Sequence, residues 1–453
     1  MTEARLWRRE FAATFVLGLP LAVVQLAQFL ISTTVVIMAG KLGPAALAGV
    51  ALGASVYYTV WMFCLGVVMA VAPLVARALG AGDHAALRPL LQQGLWVGVS
   101  LGVPAMVIVW HGGEILLALG QSPVNAAAGG DYLRPLTFAI LPSLWFGTLR
   151  AYVSAHSRPR AILAVALLGL GANAGLAHVL IFGGFGLPAL GLTGAGIAVG
   201  STTTIMFLGL LAYVACAAPF RRQRLFAKLA RPDWPRFAEI MRVGVPIGGG
   251  MVLEVAYFNA CLQFMGLIGT DQVAAHQIAL QFGAMSFMLP LGLGQAATVR
   301  VGYHAGGGDA PGAARAGWAA LGLGLVCVTV AAMLFWFLPG PLVALFLDPA
   351  NPANRAAVGF AISFLAMVAA FQYFDAAQAI LMGALRGLKD TSVPMLIAGV
   401  GYWVVGLGFS LGLGFFTPLA GLGIWIGTVI GLAAAALLLL WRFIRLAHGP
   451  AAA

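Results

Sequence analysis

The sequence predicts an all-α integral membrane protein. Twelve transmembrane helices are expected in two six-helix lobes related by a parallel repeat, a pseudo-two-fold along the membrane normal. Three observations carry that expectation. Of 453 residues, 62% are apolar and 8% charged, against roughly a quarter charged in a soluble domain. Apolar stretches of about 20 residues, enough to cross a bilayer, recur between clusters of charge along the whole chain. A set of landmarks also returns at one fixed offset.

The spans are delimited by the charge clusters. In the first lobe, taken as 1–225, they fall near 11–37, 46–72, 90–110, 132–149, 161–183 and 190–217. Arg8-Arg9-Glu10 precedes the first and Lys41 ends it, Pro44 opens the second, Arg88 precedes the third, and Arg134 and Arg150 bracket the fourth. Arg158-Pro159-Arg160 opens the fifth, and the sixth runs toward Arg221. In the second lobe, 226–453, spans are expected near 243–266, 273–299, 316–338, 357–383, 393–414 and 419–441. Arg242, Arg300, Arg315, Arg355, Arg386, Asp390 and Arg442 mark their limits.

An even number of spans puts both termini on one side. With that side cytoplasmic, all 24 basic residues except Lys41, Arg134 and Arg355 face inward, as retention of positive charge during insertion demands. A multi-pass membrane protein with both termini cytoplasmic is therefore expected. The formal net charge of +11 is a product of topology and calls for no nucleic-acid partner.

The repeat has an offset of 226. It carries Gly18-Leu19-Pro20 onto Gly244-Val245-Pro246, Gly43 onto Gly269, Leu65-Gly66 onto Leu291-Gly292, and Gly80-Ala81-Gly82-Asp83 onto Gly306-Gly307-Gly308-Asp309. With a small shift, Gly147-Thr148-Leu149-Arg150 meets Gly383-Ala384-Leu385-Arg386. Parallel repeats of this kind characterise transporters that alternate access around a central site.

Of 13 acidic residues, only Glu254 and Asp375 fall deep in spans. Counting from Arg242 and Arg386, both carboxylates lie roughly 16–18 Å inside a core of about 30 Å. Ionisable groups at such depth cost at least about 2.5 kcal/mol and mark function. No basic residue is expected at that depth, so a proton, a sodium ion or an organic cation would relieve the burial. Competition among these cations for one negative site then couples uptake of one to release of another. Tyr257 and Phe258 share the helix face of Glu254, and Phe371, Gln372 and Gln378 share that of Asp375. Aromatic faces attract organic cations. Pro246 with Gly248 weakens the helix ahead of Glu254, either as a hinge or to admit a closely packed neighbour.

Enzymatic patterns are absent or misplaced. Gly98-Val99-Ser100-Leu101-Gly102 and Gly408-Phe409-Ser410-Leu411-Gly412 have hydrolase-elbow spacing but lie inside continuous apolar spans, without the strand-to-helix turn. The four cysteines stand singly, and no zinc or phosphate-loop spacing occurs. His178 and His276 lie in or near spans, where a lone imidazole is expected to bond helix to helix or, less often, to relay protons.

Four segments give a more specific likeness. They are Asp271-Gln272-Val273-Ala274-Ala275-His276-Gln277-Ile278-Ala279-Leu280, Phe371-Gln372-Tyr373-Phe374-Asp375-Ala376-Ala377-Gln378, Gly383-Ala384-Leu385-Arg386-Gly387-Leu388-Lys389-Asp390 and Ile37-Met38-Ala39-Gly40. With them the chain resembles the multidrug and toxic compound extrusion (MATE) family, in its NorM-like bacterial branch. The resemblance implies a multidrug efflux antiporter, not an enzyme, that exports organic cations such as drugs and dyes in exchange for protons or sodium ions. It implies no cofactor, and membrane lipid and amphipathic cations as partners; the expected state is a monomer.

Glu254 and Asp375 match the acidic residues that the family links to ion coupling and substrate exchange, and are the candidate sodium ligands. Asn173 matches a polar residue of the fifth span, and Gln277 joins the supporting cavity. Val35, Ala177 and Phe371 stand where the family often has an acid, a polar residue and a tyrosine, and the repeat places Gln28 opposite Glu254. Coupling is therefore assigned to the second lobe, with a lean to protons. The runner-up is a flippase for lipid or lipid-linked oligosaccharide within the same superfamily.

Overall fold

A computed structural model describes residues 2–184, 186–221, 225 and 231–448. Arg222, Arg224 and Lys228, counted above among the inward-facing cations, lie outside the described residues. Twelve helices are long and apolar enough to cross a membrane. They are α1 (Glu3–Gly40), α2 (Pro44–Gly80), α3 (His84–Trp110), α4 (Pro123–Ala155), α5 (Pro159–Phe182) and α6 (Gly191–Cys216). Then come α7 (Trp234–Ile268), α8 (Thr270–Gly306), α9 (Ala310–Phe337), α10 (Pro352–Gly387), α11 (Ser392–Phe415) and α12 (Gly421–Ala447). All twelve expected spans are present, mostly extended by a few turns because polar end residues continue the helix past its apolar part. Helix α1 continues through Pro20, and α7 through Pro246.

The repeat holds at the level of single atoms. Gly82 and Gly308, 226 residues apart, adopt left-handed φ values of 71° and 73°. Each is followed by an aspartate that caps the next helix: Ala86 N donates to Asp83 Oδ1 at 3.1 Å, and Gly312 N to Asp309 Oδ1 at 2.8 Å. Glycine is needed before the cap because a side chain is strained at that φ, and the cap satisfies an orphan N–H. Helix crossings repeat as well. A Cβ on Gly66 would stand 2.5 Å from Gly248 Cα, and one on Gly292 would stand 2.4 Å from Ala22 N. The pairs Gly66–Gly248 and Gly292–Ala22 are related by the same offset. Where bilayer lipid is as apolar as the helices, such small-residue contacts let backbones approach and gain dispersion energy. Gly248 thus occupies a tight crossing, also 2.4 Å from Phe63 O by the same measure.

The chain divides into two compact units: Val23–Gly249, and Met1–Ala22 with Gly250–Ala453. Helices α1 and α7 are therefore each shared, the N-terminal part of each belonging to one unit and the remainder to the other. In the second unit, Glu10 of α1 receives two charge-assisted hydrogen bonds from Arg300 of α8, Nε to Oε1 and Nη2 to Oε2, both 2.7 Å. His304 Nε2 approaches Glu10 Oε2 at 3.3 Å, while its Nδ1 meets Asp309 Oδ2 at 2.9 Å. In the first unit, Arg77 of α2 and Glu239 of α7 attract each other electrostatically.

Candidate cation site

Glu254 on α7 and Asp375 on α10 belong to one unit and interact electrostatically. Asp375 is 5% exposed; Glu254 is half-buried. Neither carboxylate accepts a hydrogen bond from a described residue. A buried carboxylate without a donor is costly, which makes it available to a cation.

The predicted helical faces form the walls. Phe371, Gln372 and Gln378 are all buried beside Asp375 on α10. Gln372 Nε2 donates to Val328 O at 3.3 Å, and Gln378 Nε2 to the Tyr402 hydroxyl. The Oε1 atoms of both amides are buried and unpaired among the described residues. Tyr257, fully buried, stacks on Tyr402 at 5.3 Å and donates from its hydroxyl to Thr428 Oγ1 at 3.0 Å. Phe258 meets Phe371 edge-on at 6.0 Å, and Phe371 meets Trp425 likewise at 5.8 Å. The result is two interacting carboxylates beside stacked aromatic rings and amide oxygens, a set that suits cations.

Three features depart from expectation. First, a basic residue does reach the site: Arg386 interacts electrostatically with Glu254. Its Cα lies at the helix end, but side chains on a helix lean toward the N-terminus, which for α10 points inward. Second, Gln277 is exposed and makes none of these contacts. Its neighbour His276 is buried instead, 5.2 Å from Trp425. Neither ring nitrogen of His276 has a hydrogen-bond partner among the described residues, so it forms no helix-to-helix bond there. Third, Tyr402 was not anticipated. It lies in a π-helical segment, Val400–Gly406 of α11, and interacts electrostatically with both acids. π-Segments recur at functional sites, but no local pattern in the sequence betrays this one.

The remaining candidates lie in the other unit. Asn173, fully buried on α5, donates from Nδ2 to Thr202 Oγ1 at 3.2 Å, leaving Oδ1 unpaired among the described residues. Val35 and Ala177 are buried apolar positions. Gln28 of α1 accepts from Arg150 Nη1 of α4 at 2.8 Å, and Gln25 Oε1 does the same at 2.8 Å. Arg150 is 5% exposed. The expectation of no basic residue at depth fails here too, for the same reason: α4 runs inward toward its N-terminus and the guanidinium leans that way.

The elbow-like serines are structural. Ser410 Oγ donates to Ile424 O at 3.0 Å and Ser100 Oγ to Val97 O at 3.0 Å.

Twelve apolar helices, an internal duplication and two interacting carboxylates within spans define a polytopic membrane transporter. The MatE family model matches twice, at residues 20–179 and 246–411, starting positions that differ by the repeat offset. The chain belongs to the MatE family. It is 44% identical over 442 residues to a probable multidrug resistance protein NorM of Mesorhizobium japonicum, covering 97% of this chain and 95% of the relative. It is 42% identical over 457 residues to one of Brucella suis, covering 100% and 97%. Among solved structures, the fold is similar to an outward-facing multidrug resistance MATE family transporter of the MOP superfamily. That match has a TM-score of 0.88 at 20% identity, covering 99% and 98% of the two chains. A eukaryotic MATE transporter gives 0.86 at 22% identity, covering 97% and 96%. The chain is a transporter and not an enzyme.

Proposed function

We propose that the chain is a multidrug efflux antiporter of the inner membrane, with both termini cytoplasmic, exporting organic cations in exchange for protons or sodium ions by alternating access. The observation that carries this reading is Asp375, a buried carboxylate with no hydrogen-bond donor among the described residues and Glu254 as its electrostatic neighbour. The second negative charge strengthens the attraction of the site for any cation. Cargo and coupling ion cannot both neutralise the pair at once, so they take turns. Arg386 sets the resting balance by offsetting part of the charge of Glu254. Phe371 offers no oxygen to a sodium ion, which prefers oxygen ligands as other hard cations do, and this favours protons. Relatives named as multidrug resistance proteins support the cargo class. The aromatic and acidic lining favours a cation over the anionic head of a flipped lipid.

The test is efflux of a fluorescent organic cation from cells lacking their own exporters, under imposed proton and sodium gradients in turn. Glu254→Gln and Asp375→Asn should each abolish gradient-driven efflux at unchanged membrane abundance. Full efflux in either variant would remove that residue from the exchange.

A further inference from the structure

Four half-buried arginines each face an acid, whereas the one arginine that is fully buried among the described residues does not. Arg386 interacts with Glu254, Arg300 bonds Glu10, Arg442 Nε donates to Asp390 Oδ2 at 2.8 Å, and Arg77 interacts with Glu239. Among the described residues Arg150 meets no acid: its partners are the two glutamine carbonyls, and no charged group interacts with it electrostatically. The repeat sharpens the contrast, because Arg150 corresponds to Arg386 and Gln28 to Glu254. Where one unit carries a carboxylate beside its arginine, the other carries a neutral amide.

The hydrogen bonds around Arg150 are also one-sided. Its Nη1 donates to both Gln25 Oε1 and Gln28 Oε1. An arginine only donates, so these bonds fix which amide atom faces it and leave both Nε2 groups free of that contact. Neither Nε2 group, nor Nε and Nη2 of Arg150, donates to any described residue. The place is therefore rich in donors, holds one full positive charge and offers it only two neutral amide oxygens. A buried charge left so is costly unless something neutralises it.

We propose that Arg150, with Gln25 and Gln28, binds a monovalent anion that stands in for the carboxylate of the other unit. The chemistry is that of a halide or of a single carboxylate; one guanidinium matches one negative charge, whereas a dianion would leave the pocket negative. Arginine and amide N–H groups are suited to both.

The experiment tracks thermal unfolding of the purified full-length protein by tryptophan fluorescence, in detergent. Chloride is titrated against sulfate at fixed ionic strength, and benzoate is titrated in a second series. A ligand bound only by the folded state raises the melting temperature saturably. A saturable rise with chloride assigns a free halide, and a rise with benzoate alone assigns the carboxylate of an amphipathic organic anion; either supports the site. In Arg150→Gln the rise should vanish. Gln28→Glu supplies the missing carboxylate and keeps the arginine paired, so it should remain folded and lose its anion response. A wild-type melting temperature indifferent to both anions overturns the proposal, as does an undiminished response in Gln28→Glu.

Discussion

The Tyr402 hydroxyl accepts from Gln378 while the ring stacks on Tyr257, so one side chain joins α7, α10 and α11 around the acidic pair. Removing that hydroxyl leaves Gln378 with a buried, unanswered donor, a defect of about 1–3 kcal/mol. Tyr402→Phe should therefore lower the apparent affinity for an organic cation severalfold in a dose–response efflux assay, with the protein still folded. The face of α10 that carries Phe371, Gln372, Asp375 and Gln378 was legible because positions three and four apart share a helix face. Tyr402 was not, because a π-segment adds a residue to the turn and rotates the rest of the helix relative to it. Arg386 was hidden for another reason: sequence position gives the depth of its Cα but not the inward lean of a long side chain.

A second residue carries a pH dependence. His156, between α4 and α5, is packed against Tyr152 and Phe220 at 4.5 and 5.0 Å. Burial holds its imidazole below the ordinary value, aided by the positive charges of Arg158 and His84. The unfolded chain takes up this proton near pH 6.5, the folded chain only at lower pH. The stabilising contribution is complete above the unfolded value and is lost as pH falls from there toward the folded one. Melting temperature should drop from about pH 7.5 to about 5.5, and drop less in His156→Phe.

Among the helices, the crossings at Gly66–Gly248 and Gly292–Ala22 set how closely the shared helices pack in each unit. A methyl group at either glycine would meet backbone atoms rather than the end of a yielding side chain. Gly66→Ala and Gly292→Ala should each destabilise the protein by about 1–3 kcal/mol, seen as a lower melting temperature in detergent. Gly40, with nothing within 4 Å of an added Cβ, should tolerate alanine. The number of helices and their repeat were legible because hydropathy and charge both alternate at the membrane boundary. The crossings were visible only as paired glycines, since the same residue also serves turns and caps, as at Gly82 and Gly308.

For the molecule as a whole, the division of α1 and α7 between units has a measurable result. Residues 226–453 include Trp234–Gly249, which belongs with the first unit, and lack Met1–Ala22, which belongs with the second. Expressed alone, 226–453 should be degraded or aggregate. Co-expressed with 1–225 it should assemble into a stable pair recoverable by a tag on either piece. A well-behaved isolated 226–453 would mean that the shared half-helices contribute little. Hydropathy could not foretell this sharing, because either half of a long apolar helix is equally content in lipid.

The bond between Glu10 and Arg300 also has a timetable. The two residues are 290 positions apart in the chain, and ribosomes add about 5–20 residues per second. Glu10 thus emerges roughly 15 to 60 seconds before its arginine exists. Throughout that wait the carboxylate, at the end of the leading apolar span, needs water or a lipid headgroup for company.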